Sequence, residues 1–451
     1  MSSSPVPIDV ARLIDESGIG RYQLMIFVLA GLAVVMDGFD VQAMSFVAPA
    51  VIREFGVNKA LMGPVFGAAL SGMLLGSLGL SVLADRIGRR PVLIGASVFF
   101  AVCMLCTTFA ANLTQLQAIR FVTGVALGAV MPNAMALAGE FSPARRRATV
   151  MMLVSGGFTI GALAGGLLSA LTIPAFGWRS VFWFGAGAPL VLALSMIAAL
   201  PESLHFLVLR KRDPDAVTRC LCRIVPGFSA NARTRYFVGG AAKSGAMVDE
   251  LFRQGRAPAT LLLWFVQFMN LLSLYFLSSW LPIIAASAGL SIRTAVLVGA
   301  ALQAGGVLGP IVIGPLIDRF GFNRMLVPSY ALAAVTIALI GQPGMALPLL
   351  LLVVTVTGFC IIGGQAGVNA LAASYYPTTL RSTGIGWSLG IGRIGSIIGP
   401  VLGGELIARN WPNSYLFLAV AMPAAVSAIA LLVMAMTVGQ RGPTIEETTA
   451  Q

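Results

Sequence analysis

Twelve stretches of roughly twenty mostly apolar residues follow one another along 451 residues, and this repetition leaves the chain few ways to fold. In hydrocarbon no water satisfies a backbone N–H or C=O, so a spanning segment is a helix or a strand of a closed barrel. Barrel strands alternate apolar and polar residues, whereas these runs are continuously apolar, which predicts an all-α membrane protein. The stretches fall near 22–50, 60–84, 91–111, 114–139, 148–172, 178–199, 258–282, 293–317, 324–342, 346–375, 382–408 and 413–438. Only 10% of residues are charged and the mean hydropathy is +0.90, against about 25% charged in soluble domains.

The net charge of +12 raises the question of nucleic acid, and the placement of the charges answers against it. With the N-terminus inside, 22 of the 29 Lys and Arg lie in cytoplasmic segments and five in outer loops. That is the positive-inside bias, so the basic balance reports topology. Both termini are expected in the cytoplasm, with a first segment over 1–21 and a tail over 439–451.

The halves repeat. Leu83-Ala84-Asp85-Arg86-Ile87-Gly88 returns as Leu316-Ile317-Asp318-Arg319-Phe320-Gly321, and Pro143 with Arg147 returns as Pro377 with Arg381. Gly157, Gly161, Gly165 and Gly166 return as Gly395, Gly399, Gly403 and Gly404. A tandem duplication of six spans predicts two parallel six-helix halves, 22–199 and 258–438, joined by a polar cytoplasmic linker over 200–257. Such a pair of halves is expected to hold its substrate between them, near the midplane.

The remaining two cations, Arg120 and Arg393, lie inside apolar stretches. A cation at the centre of a span costs about 2.5–3.5 kcal/mol on insertion scales, so it usually faces a cavity or a partner. Arg393 has no acid within two turns of its own helix and is the first choice for an anionic substrate group, since a guanidinium meets a carboxylate through two parallel bonds. Arg120 is a second choice, or half of a static ion pair. Asp37 and Asp40 share one helix face three residues apart, and two carboxylates in a low dielectric raise each other's proton affinity, as proton coupling requires. Phe39 and Tyr275 are candidates to offer an aromatic face to the substrate, and Asn270, Gln303, Gln365 and Asn369 to hydrogen-bond it. Glu140, beside Arg145, Arg146 and Arg147, reads as a gate ion pair. Asp85, Arg86, Arg89, Asp318, Arg319 and Arg381 read the same way. Trp264 and Trp280 are expected at the membrane interfaces, and the single histidine, His205, is expected to play no part. No metal or organic cofactor is expected; the proton serves as coupling ion.

These motifs resemble the major facilitator superfamily along essentially the whole chain. Its loop signature appears as Ser81-Val82-Leu83-Ala84-Asp85-Arg86-Ile87-Gly88-Arg89-Arg90, with serine where the first glycine is usual; the second copy, from Gly314, has Phe322-Asn323 before Arg324. Pro201-Glu202-Ser203 resembles an element found after the sixth span. Asp37-Gly38-Phe39-Asp40, Arg120-Phe121 leading to Met131-Pro132-Asn133-Ala134, and Gly392-Arg393-Ile394-Gly395 are similar to motifs of the aromatic acid:proton symporters. The resemblance implies a monomeric carrier in a bacterial inner membrane that imports benzoate, hydroxybenzoates, protocatechuate, gentisate or phenylpropionates by alternating access. Other facilitators remain as alternatives: a porter for another organic anion or a sugar, or a drug/proton antiporter, the last disfavoured by Arg393. An intramembrane enzyme would need a nucleophile with a base or a metal cluster, and the spans offer neither grouping.

Overall fold

Among the described residues of the computed structural model, twelve helices are long and apolar enough to cross a membrane, which makes this a multi-pass membrane protein. The structure describes residues 7–210, 213–225, 228, 234–237, 248–377 and 380–439, without the side chains at 81, 82, 85, 148, 382 and 437–439. Two compact units account for the chain: residues 1–57 with 65–243, and 58–64 with 244–451.

The first unit begins with strand β1 (Pro7–Asp9) and helix α1 (Val10–Glu16). Its spans are α2 (Arg21–Phe55), α3 (Met62–Ile87), α4 (Arg89–Thr107), α5 (Leu113–Gly128) with α6 (Val130–Glu140), α7 (Ala144–Phe176) and α8 (Arg179–Ala199). Two short helices follow, α9 (Leu204–Leu209) and α10 (Pro214–Ile224), and then strand β2 (Arg235–Phe237), which pairs in parallel with β1. The second unit holds α11 (Ala257–Ser287), α12 (Ile292–Phe320), α13 (Phe322–Ile340), α14 (Leu347–Tyr375), α15 (Arg381–Ala408) and α16 (Asn413–Gly439). The fourth span, expected as one helix, is interrupted at Ala129 between α5 and α6.

The repeated loops have a common backbone reason for their glycine. Gly88 separates α3 from α4 at φ 106°, and Gly321 separates α12 from α13 at φ 87°. A residue with a Cβ is strained there, so a chain that ends one span and starts the next within one residue uses glycine twice.

Packing within each unit repeats as well. In the first unit α2 lies on α7 and α4 on α8; in the second α11 lies on α15 and α13 on α16. Small residues allow these approaches, because lipid tails supply no hydrophobic drive and van der Waals contact must do the joining. A Cβ at Gly161 would overlap the carbonyl of Val35, and one at Gly38 would overlap that of Phe158. Gly395 and Gly399 of α15 meet the carbonyls of Phe268 and Leu272 in the same manner.

Trp280 corrects an expectation. It is fully buried and donates from Nε1 to the Pro400 carbonyl at 3.0 Å, so it holds α11 to α15 instead of anchoring an interface. Trp264 stacks on Trp387 with ring centroids 5.8 Å apart.

Helix α10 packs through Val217, Cys220, Leu221 and Ile224 while Cys222 faces out. Burial pushes the Cys220 thiol up to about 12, which keeps it protonated at neutral pH. Because the thiolate is the reactive form, a maleimide should label Cys222 of the detergent-purified protein at least about tenfold faster than Cys220; equal rates by peptide mapping would show that α10 does not pack this way. Gly161→Val should lower the thermal midpoint in detergent by the equivalent of about 1–3 kcal/mol. Gly95→Ala, where a Cβ meets nothing within 4 Å, should not. Equal midpoints for the two variants would refute the close α2–α7 contact.

Candidate substrate and proton site

Asp40 of α2 and Arg120 of α5 form a bidentate ion pair, with Nη1 and Nη2 donating to the carboxylate at 2.6 and 2.7 Å. Nη2 also donates to the Asp40 carbonyl at 3.2 Å. Each residue is only 1% exposed. Burying one charge alone would cost several kcal/mol, and the planar fork offsets this by meeting both carboxylate oxygens at once. Asp37 is fully buried one turn earlier on the same face of α2. Two carboxylates and one guanidinium thus share a small buried region of the first unit.

Phe39, between these acids, does not join them. Its ring lies where a Cβ at Gly165 or Gly185 would come within 3.1 and 3.0 Å, so it fills space against α7 and α8. Gly165 leaves room for the ring, and Gly185 leaves room both for it and for Met104 Cε, which a Cβ there would meet first.

In the second unit three expected residues, Asn270, Gln365 and Asn369, come together with Gln267 as one chain of amides. Asn270 donates to the Ile361 carbonyl at 3.4 Å and to Gln365 Oε1 at 2.5 Å. Gln365 and Gln267 both donate to Asn369 Oδ1 at 3.1 Å. The Ile361 carbonyl can only accept, and that sets the direction of every amide after it. The outcome is two buried acceptors without a hydrogen bond, Gln267 Oε1 and Asn270 Oδ1. Gln303 lies apart from this chain and donates to Ser278 Oγ at 3.4 Å. Tyr275 is half-buried on α11.

Arg393 of α15 is half-buried. Its neighbour Gly392 lies against Gln267 and Leu271, which puts the guanidinium's helix beside the amide chain. Among the described residues no carboxylate or other acceptor pairs with the Arg393 side chain. It differs in this from Arg120, which is satisfied by Asp40.

A second polar cluster closes one end of the first unit. Glu140, at the end of α6, takes Arg89 on one oxygen and Ser203 Oγ on the other at 2.5 Å, with His205 Nδ1 3.7 Å away. Glu140 was expected to pair with the arginines that follow it; Arg147 instead reaches Asp15 at 3.2 Å, because α1 folds back to cap α7 through Asp15. Glu202 accepts from the backbone N–H groups of Arg89, Arg90 and Ser203 at 2.9, 3.2 and 2.8 Å, which caps α4. Free helix N-termini favour such a carboxylate. Asp15, Glu202 and His205 were not expected here; the Pro-Glu-Ser resemblance was the only signal for this contact. Arg86, Asp318, Arg319 and Arg381 are exposed, and the side chain of Asp85 lies outside the described residues.

The sequence profile of the Major Facilitator Superfamily matches residues 30–238 and 263–450. The 4-hydroxybenzoate transporter PcaK of Pseudomonas aeruginosa is 39% identical over 437 residues, 96% of this chain and 98% of its own length. The gallate transporter of Pseudomonas putida is 38% identical over 427 residues, covering 94% and 95%. The benzoate transport protein of Acinetobacter baylyi is 30% identical over 434 residues, covering 95% and 92%. Among solved structures, a bacterial homolog of the human lysosomal transporter Spinster superposes with a TM-score of 0.66 over 93% of this chain and 96% of that one; at 17% identity this is a likeness of fold alone. The repeated six-helix packing, the signature loops and these relatives lead to one conclusion: the chain belongs to the major facilitator superfamily and, within it, to the family of aromatic acid transporters.

Proposed function

We propose that this protein carries an aromatic carboxylate of the hydroxybenzoate, gallate or benzoate kind into the bacterial cell, together with protons, by alternating access in the cytoplasmic membrane. The relatives' names supply the substrate class, and the distribution of Lys and Arg supports cytoplasmic termini.

Arg393 is the observation that carries the reading. A guanidinium in mid-span that pairs with no carboxylate among the described residues is costly, and a substrate carboxylate would remove that cost by pairing with it. The two unsatisfied amide acceptors nearby suit the hydroxyl of a phenolic ring, which must donate. Apolar helix surface suits the ring itself. A drug/proton antiporter, which moves bulky cations, would gain nothing from such a fixed cation.

Asp37 and Asp40 are the proton-coupling pair in this reading. Both Asp40 oxygens accept from Arg120, so a proton arriving at Asp40 competes with the guanidinium and loosens it. Proton uptake then frees a positive charge within the first unit, and deprotonation recaptures it. Asp37, buried one turn away, offers the second carboxylate of such a relay.

Arg393→Lys keeps the charge but loses the fork. It should insert normally and bind 4-hydroxybenzoate at least about tenfold more weakly, ~1.4 kcal/mol. Calorimetry on the detergent-purified protein checks this, and unchanged affinity returns Arg393 to a structural role.

An aromatic monoanion entering against an inside-negative potential works against about 2.3 kcal/mol per 100 mV. One co-transported proton cancels that charge and leaves the pH gradient, worth about 1.4 kcal/mol per unit, as the drive. Uptake into vesicles should rise as external pH falls and collapse with a protonophore. Asp40→Asn should abolish accumulation while retaining counterflow exchange, which needs no net proton movement. Accumulation against the gradient in this variant would move the proton to another group. Loss of counterflow together with a lower thermal midpoint would identify the Asp40–Arg120 pair as structural.

A further inference from the structure

The groove between the starts of α2 and α4, the end of α8 and helix α10 has no part in the mechanism above, yet it is built from arginines. Arg90, Arg219 and Arg223, with Tyr22, line a cleft of about 350 Å³ that also touches Glu202 and Asp213. An adjoining cleft of about 570 Å³ shares Tyr22 and Arg223 and continues along Arg21, Met25 and Ala198.

The acids are already engaged. Glu202 is held by three backbone N–H groups at the start of α4 and at Ser203. Asp213 caps α10 through Ala216 N–H at 2.9 Å and takes Arg219 at 3.4 Å. Arg21, Arg90 and Arg223 are left, and among the described residues none of them pairs with a carboxylate. The Arg223 guanidinium stands over the Tyr22 ring at 5.3 Å from its centroid. Arg90 donates from Nη2 to the Ile197 carbonyl at 2.6 Å, while its Nε is buried with no hydrogen bond. Arg90 and Arg223 line the first cleft and Arg21 and Arg223 the second, so across the two clefts guanidiniums outnumber the two engaged carboxylates and the net positive charge favours an anion.

What lies beside them decides the anion's class. On α2 the residues following Arg21 present Leu24 and Val28 outward, 56% and 51% exposed; on α8 Leu194 and Ile197 are 60% and 50% exposed. Helices α2 and α8 pack on each other, and α2 carries both Arg21 and the exposed Leu24 and Val28. A cationic pocket beside exposed apolar helix faces matches the chemistry of a phospholipid, phosphate at one end and acyl chains along the other. On the topology proposed above, this end faces the cytoplasmic leaflet, where basic pockets at span ends meet anionic headgroups.

We propose that Arg21, Arg90 and Arg223 bind the phosphate of an anionic glycerophospholipid, whose acyl chains lie along α2 and α8, and that the lipid ties linker helix α10 to the ends of the spans. The shared chemistry is a phosphate oxyanion in a guanidinium cluster, and a lipid is distinguished from free phosphate by the chains it brings.

The test uses the full-length protein in detergent, titrated with phosphatidylglycerol, phosphatidylcholine or inorganic phosphate and followed by native mass spectrometry and thermal unfolding. Phosphatidylglycerol should bind and raise the midpoint more than phosphatidylcholine does, and inorganic phosphate alone should not reproduce the shift. Arg21→Gln and Arg223→Gln should each weaken phosphatidylglycerol binding by about fivefold. Arg409→Gln, which removes a cation paired with Glu405 at 2.9 Å in the second unit, should leave it unchanged. Equal binding of the two lipids by the unmutated protein overturns the proposal without recourse to any variant. So does full retention of the shift in the Arg21→Gln/Arg223→Gln double variant. A shift reproduced by inorganic phosphate would reduce the groove to a free-anion site.

Discussion

Backbone-to-backbone contact between helices is the constraint on which this structure rests. In lipid the helices gain nothing by hiding apolar side chains from their surroundings, so their association depends on close van der Waals approach. The glycines of α2, α7 and α15 provide it, with main-chain carbonyls of one helix lying where a side chain of the other would begin. Everything polar in the interior is placed by that approach. Asp37 and Asp40 flank Gly38, which fits against Phe158 of α7. Arg393 follows Gly392, which fits against α11 beside Gln267. A glycine that draws two helices together also brings its charged neighbour to a determined depth and direction.

The two buried arginines show opposite solutions to one electrostatic problem. Arg120 is compensated within the protein by a carboxylate that meets both of its terminal nitrogens. Arg393 has no such compensation among the described residues, and the amide chain beside it leaves two acceptors, Gln267 Oε1 and Asn270 Oδ1, without a hydrogen bond. A compensated pair suits a reversible exchange with a proton. An uncompensated cation beside spare acceptors suits a ligand that carries both an anionic group and a hydroxyl. The proposed division of labour, protons in the first unit and the anion in the second, rests on where the counter-charges lie.

Charge at the chain's loop end is handled with backbone as much as with side chains. Glu202 uses one carboxylate to cap α4 beside Gly88, a glycine whose positive φ exposes the next N–H groups. Glu140 collects Arg89, Ser203 and His205 around one point, so α4, α6 and the segment after α8 share a single knot. With Asp15 capping α7, the acids at this end are used as fasteners, and it is the arginines that remain in excess.

The linear pattern of residues determined the fold almost by itself. Runs of apolar residues allow only helices in hydrocarbon, and a half-length repeat of loop and glycine motifs implies two like units. It also singled out Asp40, Arg120 and Arg393, because a charge in an apolar run is visible without any structure. Tertiary packing alone decided the partners. That Asp40 meets Arg120 across 80 positions, that Glu140 chooses Arg89 over the three arginines beside it, and that Phe39 turns toward α7 and α8 depend on helix rotation. A periodicity read along one helix fixes which residues share a face, and it is silent on which neighbour that face will meet. The amide chain from Asn270 to Asn369 was visible only as scattered polar residues, since its coherence arises from two helices set side by side in register. The groove around Arg223 was hidden for the same reason: its arginines come from separate segments, and only folding makes them one surface.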